Sequence, residues 1–173
     1  MKPNSGLFSD TRGIKNHNAP KVYLNQSTQN RRHVVLWAKE QVSEFEKKSN
    51  RQREKFNTAS IAYDESTGKY YYGRNGGIER NASPKNPILF GDSTNEGILP
   101  KKSLNRYKIG NCAEVDAINN ALNNGAKLEN LHISTIHTTK DNIGKPKAAC
   151  ENCTYAFKGK VKRNYTGWKA KED

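Results

Sequence analysis

The first periodic stretch of the chain lies between Gln29 and Phe56, where the apolar positions keep one face of a helix apolar. Charged side chains occupy most of the other positions, which is the pattern of an amphipathic helix packed on a core. We therefore predict a single helix over residues 29–56. Aromatic residues in such a stripe usually belong to the core. The members of the stripe are Val34, Trp37, Val42 and Phe45.

The sequence of residues 58–73 predicts a β-hairpin. Both ends of this segment have strand composition, and the polar stretch between them ends in Gly68, which suits a turn with positive φ. Because side chains alternate between the two faces of a strand, Tyr70 and Tyr72 should share one face and Tyr71 the other. We expect one face to be core, with base stacking as the alternative role for a tyrosine.

Residues 73–102 contain several glycines and three prolines, so we predict a long loop with short ordered pieces. Gly73 is expected to end the preceding strand. Loops longer than about 12 to 15 residues in compact domains are usually functional or disordered. We therefore expect this loop to form a wall or lid of the functional site and to influence the choice of substrate.

Further elements are predicted in the second half of the chain. A helix begins at Cys112 and ends before Gly125, which suits the left-handed position beyond a helix. The uncharged run Leu-His-Ile-Ser-Thr-Ile-His-Thr at residues 131–138 favours a central strand covered on both faces. Residues 154–158 are expected to be helical. The last sixteen residues carry six basic and two acidic side chains and should form a short strand near residues 161–165 or a basic tail.

The N-terminal residues 1–28 show no helix or strand period, so we predict a basic polar linker or arm followed by one domain over residues 29–173. With 173 residues, the chain is long enough for one core. Its content of 33% hydrophobic residues and its mean hydropathy of −1.00 are low for a compact domain, so part of the chain should lie outside the core as appended polar sequence. No apolar run is long enough to span a membrane, and the N-terminus lacks the features of a signal peptide. If the protein is exported, we expect another route, and the chain would suit the end piece of a longer polypeptide.

The formal net charge of +13 bears on the partners of the protein more than on its fold. Basic residues exceed acidic ones in residues 1–56 and 104–173, whereas residues 57–103 are nearly neutral. Lysine and arginine side chains gain affinity for nucleic acid by releasing counterions from phosphates. The charge therefore favours a nucleic-acid substrate, with a solvated basic surface as the alternative.

The three cysteines fall in two motifs that predict a metal site. Cys112 and Glu114 form a Cys-x-Glu motif at the start of a predicted helix. Cys150 and Cys153 form a C-x-x-C motif, which begins 38 positions after Cys112. Together they match the signature of zinc deaminases, with cysteine in place of histidine. Three thiolates leave the fourth position of Zn²⁺ open, as in catalytic sites, and Glu114 is placed to move protons.

Other interpretations of these motifs stay open at this point. A C-x-x-C motif also occurs in structural zinc sites and in redox sites. A closed structural zinc site would need a fourth ligand, for which His132 or His137 is available, although both are expected to be packing or surface residues. Thiols at metal-binding spacing indicate a reducing compartment.

The hairpin at residues 62–73, the motif at residues 111–122 and the C-x-x-C motif at residues 150–153 together resemble the YwqJ-like deaminases of bacterial polymorphic toxins. The resemblance covers roughly residues 57–157, and its most specific part is the middle motif. One departure is Ala149, because deaminases usually have proline before this C-x-x-C motif.

The resemblance implies an α/β fold of the cytidine deaminase-like type, a three-layer α/β/α sandwich with a small mixed sheet. Cys112, Cys150 and Cys153 would bind one Zn²⁺, and Glu114 would be the catalytic proton shuttle. We also expect a further set of residues to contact the substrate. These are Tyr72, Arg74, Asn75 and Ala113.

The function implied is zinc-dependent hydrolytic deamination of cytosine to uracil in DNA or RNA by an interbacterial toxin domain. The domain would belong to a secreted effector that acts in the cytoplasm of a target cell, and a cognate immunity protein would neutralise it in the producer. The alternatives are a deaminase of free nucleosides or nucleotides, and a non-catalytic, zinc-stabilised module that binds nucleic acid.

Overall fold

A four-stranded mixed sheet lies at the centre of the computed structural model, which describes residues 25–169. Its strands are β1 (Thr58–Asp64), β2 (Lys69–Arg74), β3 (Leu131–His137) and β4 (Arg163–Asn164), in the spatial order β2-β1-β3-β4. Strand β1 pairs antiparallel with β2 and β3, whereas β4 runs parallel to β3. The small mixed sheet expected from the sequence is confirmed.

Helices cover both faces of this sheet and enclose two hydrophobic cores. The helices are α1 (Gln26–Lys48), α2 (Asn50–Glu54), α3 (Gly77–Asn81), α4 (Pro87–Phe90), α5 (Ala113–Asn123) and α6 (Glu151–Phe157), with a 3-10 turn at Leu128–Asn130. Helix α1 packs on β1 and β3, while α5 packs on β1 and β2 from the opposite side. The arrangement is the α/β/α sandwich that the resemblance implied. None of the helices in residues 25–169 combines the length and the apolar content needed to cross a bilayer.

The helix predicted over residues 29–56 is in fact two helices. The apolar stripe packs on the core as expected, and Val34, on the face of α1 that meets the sheet, is fully buried. The break falls at Ser49, whose backbone is extended (φ −171°, ψ 131°) and whose hydroxyl accepts a hydrogen bond from the backbone N–H of Arg51. Because a serine in this conformation caps the next helix, α1 ends and α2 begins there.

The start of α1 differs from the prediction by one turn. The side chain of Asn25 accepts a hydrogen bond from the backbone N–H of Thr28, which caps the helix. The last three residues of the predicted arm therefore belong to α1. The rest of that arm, residues 1–24, lies outside the described residues.

The predicted hairpin is confirmed, and its tyrosines alternate as expected. Gly68 closes the turn with φ +76°. Tyr70 and Tyr72 contact the core beneath α1, whereas Tyr71 contacts the core beneath α5. The predicted central strand is confirmed as β3, in which every residue except His137 is buried.

Gly73 does not end the strand, which corrects the prediction. It lies within β2, paired with Ser60 of β1. A Cβ atom at this position would lie 2.2 Å from the backbone nitrogen of Ala117 and 2.6 Å from the carbonyl oxygen of Ala113, both in α5. Glycine is therefore required by the close approach of helix to strand. The predicted long loop begins after Arg74 and contains the short helices α3 and α4.

The C-terminal segment takes the first of its two predicted forms, a short strand. β4 extends the sheet next to β3, and Trp168 forms a parallel bridge with Ala149. Val161 and Trp168 pack against the core beneath α5. Residues 170–173, the end of the predicted basic tail, lie outside the described residues.

Candidate active site

Both cysteine motifs lie at the N-termini of helices on the α5 side of the sheet. Cys112 is the N-cap residue of α5 and Cys150 is the N-cap residue of α6, each with extended backbone. The sulfur atoms of Cys112 and Cys150 lie 3.0 Å apart, in front of the two helix starts. The partial positive charge at the start of α6 favours the thiolate form of Cys150.

The three sulfur atoms form one cluster, as the motifs predicted. The Sγ atoms of Cys112, Cys150 and Cys153 all lie within 4.8 Å of one another. Hydrogen bonds from the Cys112 and Cys153 thiols hold the pKa of Cys150 well below its usual range, and the same bond with Cys150 raises the pKa of Cys112. The cluster therefore stabilises a thiolate, which is the form of cysteine that binds metals.

The donor set fits Zn²⁺. Zinc–sulfur bonds of about 2.3 Å in a tetrahedron place the sulfur atoms about 3.8 Å apart. The Sγ atoms of Cys112 and Cys150 lie 3.0 Å apart, so they would separate by about 0.8 Å around the ion. Among residues 25–169, no other cluster of histidine, cysteine and acidic side chains is close enough to hold a metal ion.

Glu114 lies in the first turn of α5, two residues after Cys112, and is 4% exposed. Burial raises the pKa of this carboxyl group to about 7, although a hydrogen bond from Thr135 acts in the opposite direction. Within residues 25–169, no donor lies within hydrogen-bonding distance of its Oε2 atom. A buried carboxylate oxygen without a partner destabilises the fold by about 1–3 kcal/mol, so its presence points to a function.

Thr135 is a site residue that the sequence interpretation missed. Leu131, Ile133 and Thr135 alternate along β3 and face α5, so Thr135 meets Glu114. The Thr135 hydroxyl also shares a hydrogen bond with Ser60 of β1 at 3.0 Å. The period of two along the predicted strand was the signal that could have identified Thr135.

The departure at Ala149 has a structural reason. The backbone N–H of Ala149 donates to the carbonyl of Gly167 at 2.9 Å, and its carbonyl accepts from the N–H of Lys169 at 3.1 Å. Proline has no N–H and would lose the first bond. In this chain the position before the C-x-x-C motif therefore anchors the C-terminal segment beside the thiol cluster.

The four predicted substrate-contacting residues lie in different places. Ala113 is in the site, directly after Cys112 in α5. The Tyr72 ring stacks on Trp37 with ring centroids 5.4 Å apart, on the α1 side of the sheet. The remaining two are Arg74, which lies over the rings of Phe45 and Phe56, and Asn75, whose side chain bonds the backbone of Lys55, Asn57 and Thr58.

The roles of Tyr72, Arg74 and Asn75 in substrate binding stay predictions. Tyr72 and Arg74 line a groove of about 510 Å³ at the open edge of β2, and the three cysteines are not among its lining residues. The structure brings together the predicted metal ligands, Glu114 and Ala113. It gives the other three residues packing and hydrogen-bonding partners away from the thiols.

The two histidines lie apart from the thiol cluster. The ring nitrogens of His132 contact the hydroxyl of Tyr165 at 2.8 Å and the carboxylate of Glu65 at 2.7 Å. His137 lies at the far end of β3 and is not part of the metal-type cluster found in residues 25–169. A closed site with a histidine as the fourth ligand therefore receives no support from the described residues.

Fold and site together define an α/β deaminase-type domain, with a glutamate beside a cysteine cluster that could hold a metal ion. The family model of the YwqJ-like deaminases matches residues 42–159, more than half of the chain. The protein belongs to this family, as the motifs predicted. No curated protein and no solved structure matches the chain.

Proposed function

We propose that this protein is a zinc-dependent hydrolytic deaminase that converts cytosine to uracil in nucleic acid and serves as an interbacterial toxin domain. The observation that carries the proposal is the buried Glu114 carboxylate beside three clustered thiols. Zinc would be held by Cys112, Cys150 and Cys153. When bound, zinc supplies a nucleophile at neutral pH by lowering the pKa of water.

The reaction needs a group that moves protons. Water oxygen forms a bond to C4 of cytosine, the bond from C4 to the exocyclic nitrogen breaks, and ammonia leaves. Both protons of the water must leave its oxygen, which becomes the new carbonyl; one must reach the ring nitrogen and the other must reach the departing amine. The Oε2 atom of Glu114 is available for these transfers, while the Thr135 hydroxyl holds the carboxylate in position.

The thiols of Cys112 and Cys150 are half-buried, whereas Cys153 and Glu114 are buried. The substrate would therefore reach the site from the side of Cys112 and Cys150. A base within a duplex would have to be flipped out, which costs a few kcal/mol, whereas a single strand presents its bases directly. The net charge of +13 supports a nucleic-acid substrate over a neutral nucleoside.

The toxin role is proposed because the chain belongs to the YwqJ-like family and resembles the deaminases of polymorphic toxins. In this proposal the domain is delivered as a secreted effector into the cytoplasm of a target cell, where thiols stay reduced and can bind metal. A cognate immunity protein would protect the producer. Expression of the wild-type domain in a bacterial host should be toxic, and expression of the Glu114→Gln variant should not.

Product identification on defined substrates tests the activity. The zinc-loaded protein is incubated with single-stranded DNA, duplex DNA, RNA, CMP and cytidine, and uracil formation is measured by mass. We expect uracil in a polynucleotide. Activity on the monomers alone would refute the nucleic-acid substrate, and wild-type behaviour of Glu114→Ala in every assay would refute the enzyme and indicate a binding module.

A further inference from the structure

We propose that residues 101–108 bind the phosphates and one base of a single-stranded nucleic acid beside the thiol cluster. In this proposal, which rests on the function proposed above, Lys102 and Arg106 contact phosphates and Tyr107 stacks on a base. The segment lies within none of the predicted site motifs.

The segment is fixed to the C-x-x-C motif itself. Asn152, between Cys150 and Cys153, is 2% exposed. Its Oδ1 atom accepts a hydrogen bond from the backbone N–H of Leu104 at 2.8 Å, and its Nδ2 atom donates to the Ser103 hydroxyl at 3.0 Å. One buried side chain therefore holds the loop against the start of α6.

A second set of bonds ties the loop to both cysteine motifs. Asn105 donates from Nδ2 to the carboxylate of Glu151 at 3.0 Å, and its Oδ1 atom accepts from the N–H of Tyr107 at 2.9 Å. The backbone N–H of Asn111, the residue before Cys112, donates to the carbonyl of Lys108. The loop leads directly into the Cys112 motif and is bonded to the C-x-x-C motif. A single-stranded nucleic acid bound to the loop would therefore pass close to the thiols.

The charge of the loop is uncompensated at two positions. Residues 97–113 contain four basic residues and no acidic one. Lys101 pairs with Glu96 and Lys108 pairs with Glu79, in both cases at exposed positions. Within residues 25–169, Lys102 and Arg106 form no ion pair with a carboxylate, which leaves two positive charges available for phosphates.

The loop also exposes an aromatic ring. Tyr107 is 49% exposed, and the Arg106 guanidinium lies 5.2 Å from its ring centroid while Nη2 donates to its hydroxyl at 3.1 Å. Leu104 is 52% exposed on the same loop. A basic segment with exposed aromatic rings is the arrangement that proteins use to bind single strands, with phosphates on the cations and bases on the rings.

Binding and its salt dependence test the charges. A labelled single-stranded oligonucleotide is titrated with zinc-loaded protein carrying Glu114→Gln, to prevent turnover, at several salt concentrations. Each phosphate contact on a single strand contributes about 0.7 to the slope of log affinity against log salt. Lys102→Gln with Arg106→Gln should therefore reduce the slope by about 1.4. The matched control is Lys48→Gln with Arg51→Gln, which removes the same charge from exposed positions near the α1–α2 junction and should leave the slope unchanged.

The aromatic contact is tested by two substitutions at one position. Tyr107→Ala should weaken binding by roughly tenfold, since base stacking on an aromatic ring contributes about 1–3 kcal/mol. Tyr107→Phe keeps the ring and should bind within about twofold of the parent, although it loses the hydrogen bond from Arg106. Zinc content and Tm of the same variants should not change, which separates loss of the contact from damage to the site.

The outcomes separate this proposal from the function on which it rests. If the protein deaminates the oligonucleotide but the loop variants match the control, only the loop assignment is refuted. If the protein acts on cytidine and neither binds nor deaminates the oligonucleotide, the nucleic-acid substrate is refuted and the loop assignment with it. Loss of zinc or a lowered Tm in the loop variants would indicate damage to the site and would also overturn the proposal.

Discussion

Substitution of Gly73 by alanine should destabilise the fold and should also displace α5, the helix that carries Glu114. The added Cβ atom would meet backbone atoms of α5 at 2.2, 2.6 and 2.8 Å. Ordinary van der Waals contact begins near 3.4 Å, so strand and helix must separate by about 1 Å. No side chain can rotate away, because the nearest atoms belong to the backbone of Ala113 and Ala117.

The expected size of the effect follows from this geometry. Overpacking of a core costs about 1–3 kcal/mol. Because the added Cβ atom meets backbone atoms of α5, which cannot rotate away, we expect a cost near 3 kcal/mol. For a chain of this length that corresponds to a fall in Tm of about 6–12 °C. Because α5 carries Glu114, a displacement of about 1 Å should also reduce kcat by roughly 100-fold.

Urea denaturation and deaminase assays on the same samples measure both effects, and Gly68→Ala is the matched control. Gly68 has φ +76° and no atom within 4 Å of its added Cβ, so alanine there should cost only about 1 kcal/mol of backbone strain and leave kcat unchanged. If Gly73→Ala is no less stable than Gly68→Ala, the close approach of β2 to α5 does not constrain the fold.

Three other substitutions test the centre and its surroundings. Glu114→Gln should lower kcat by about 10²–10⁴-fold with zinc content unchanged, as measured by metal analysis beside kinetics. Cys153→Ser should lose zinc and local folding, and a full zinc content would contradict the assignment. Burial raises the pKa of Asp116, so wild-type stability from this group is greatest at acid pH and falls as pH rises through that pKa. Asp116→Asn keeps an acceptor for the Arg74 N–H, so its stability relative to wild type in urea should increase as the pH rises above about 4, and a constant difference would contradict the shift.

The elements that could be predicted from the sequence are those whose signals are local. Strand composition and Gly68 predict the hairpin, and the run of residues 131–138 predicts β3. Helix α5 has an apolar face, and Gly125 beyond its end has φ +91°. In each case the residues that specify the element lie within it.

The features that could not be predicted depend on residues distant in sequence. Gly73 was taken for a strand end because composition cannot show that α5 passes over it. The helix predicted over residues 29–56 runs through Ser49, because serine occurs both on helix surfaces and at helix caps. Asn152 lies between two cysteines of the thiol cluster, and its partners are about 48 residues earlier in the chain.

The candidate site also combines features with local sequence signals and features that depend on residues distant in sequence. The thiol cluster could be predicted because each motif places its cysteines at the start of a helix, and each helix start can be read from its own segment. The surroundings of the cluster could not, because Thr135, Ala149 and Asn152 act through β3, the C-terminal segment and the loop before α5. The motif residues thus carry the proposed reaction. Substrate choice should depend on the tertiary contacts around them, and for that reason the loop at residues 101–108 is the place to look for it.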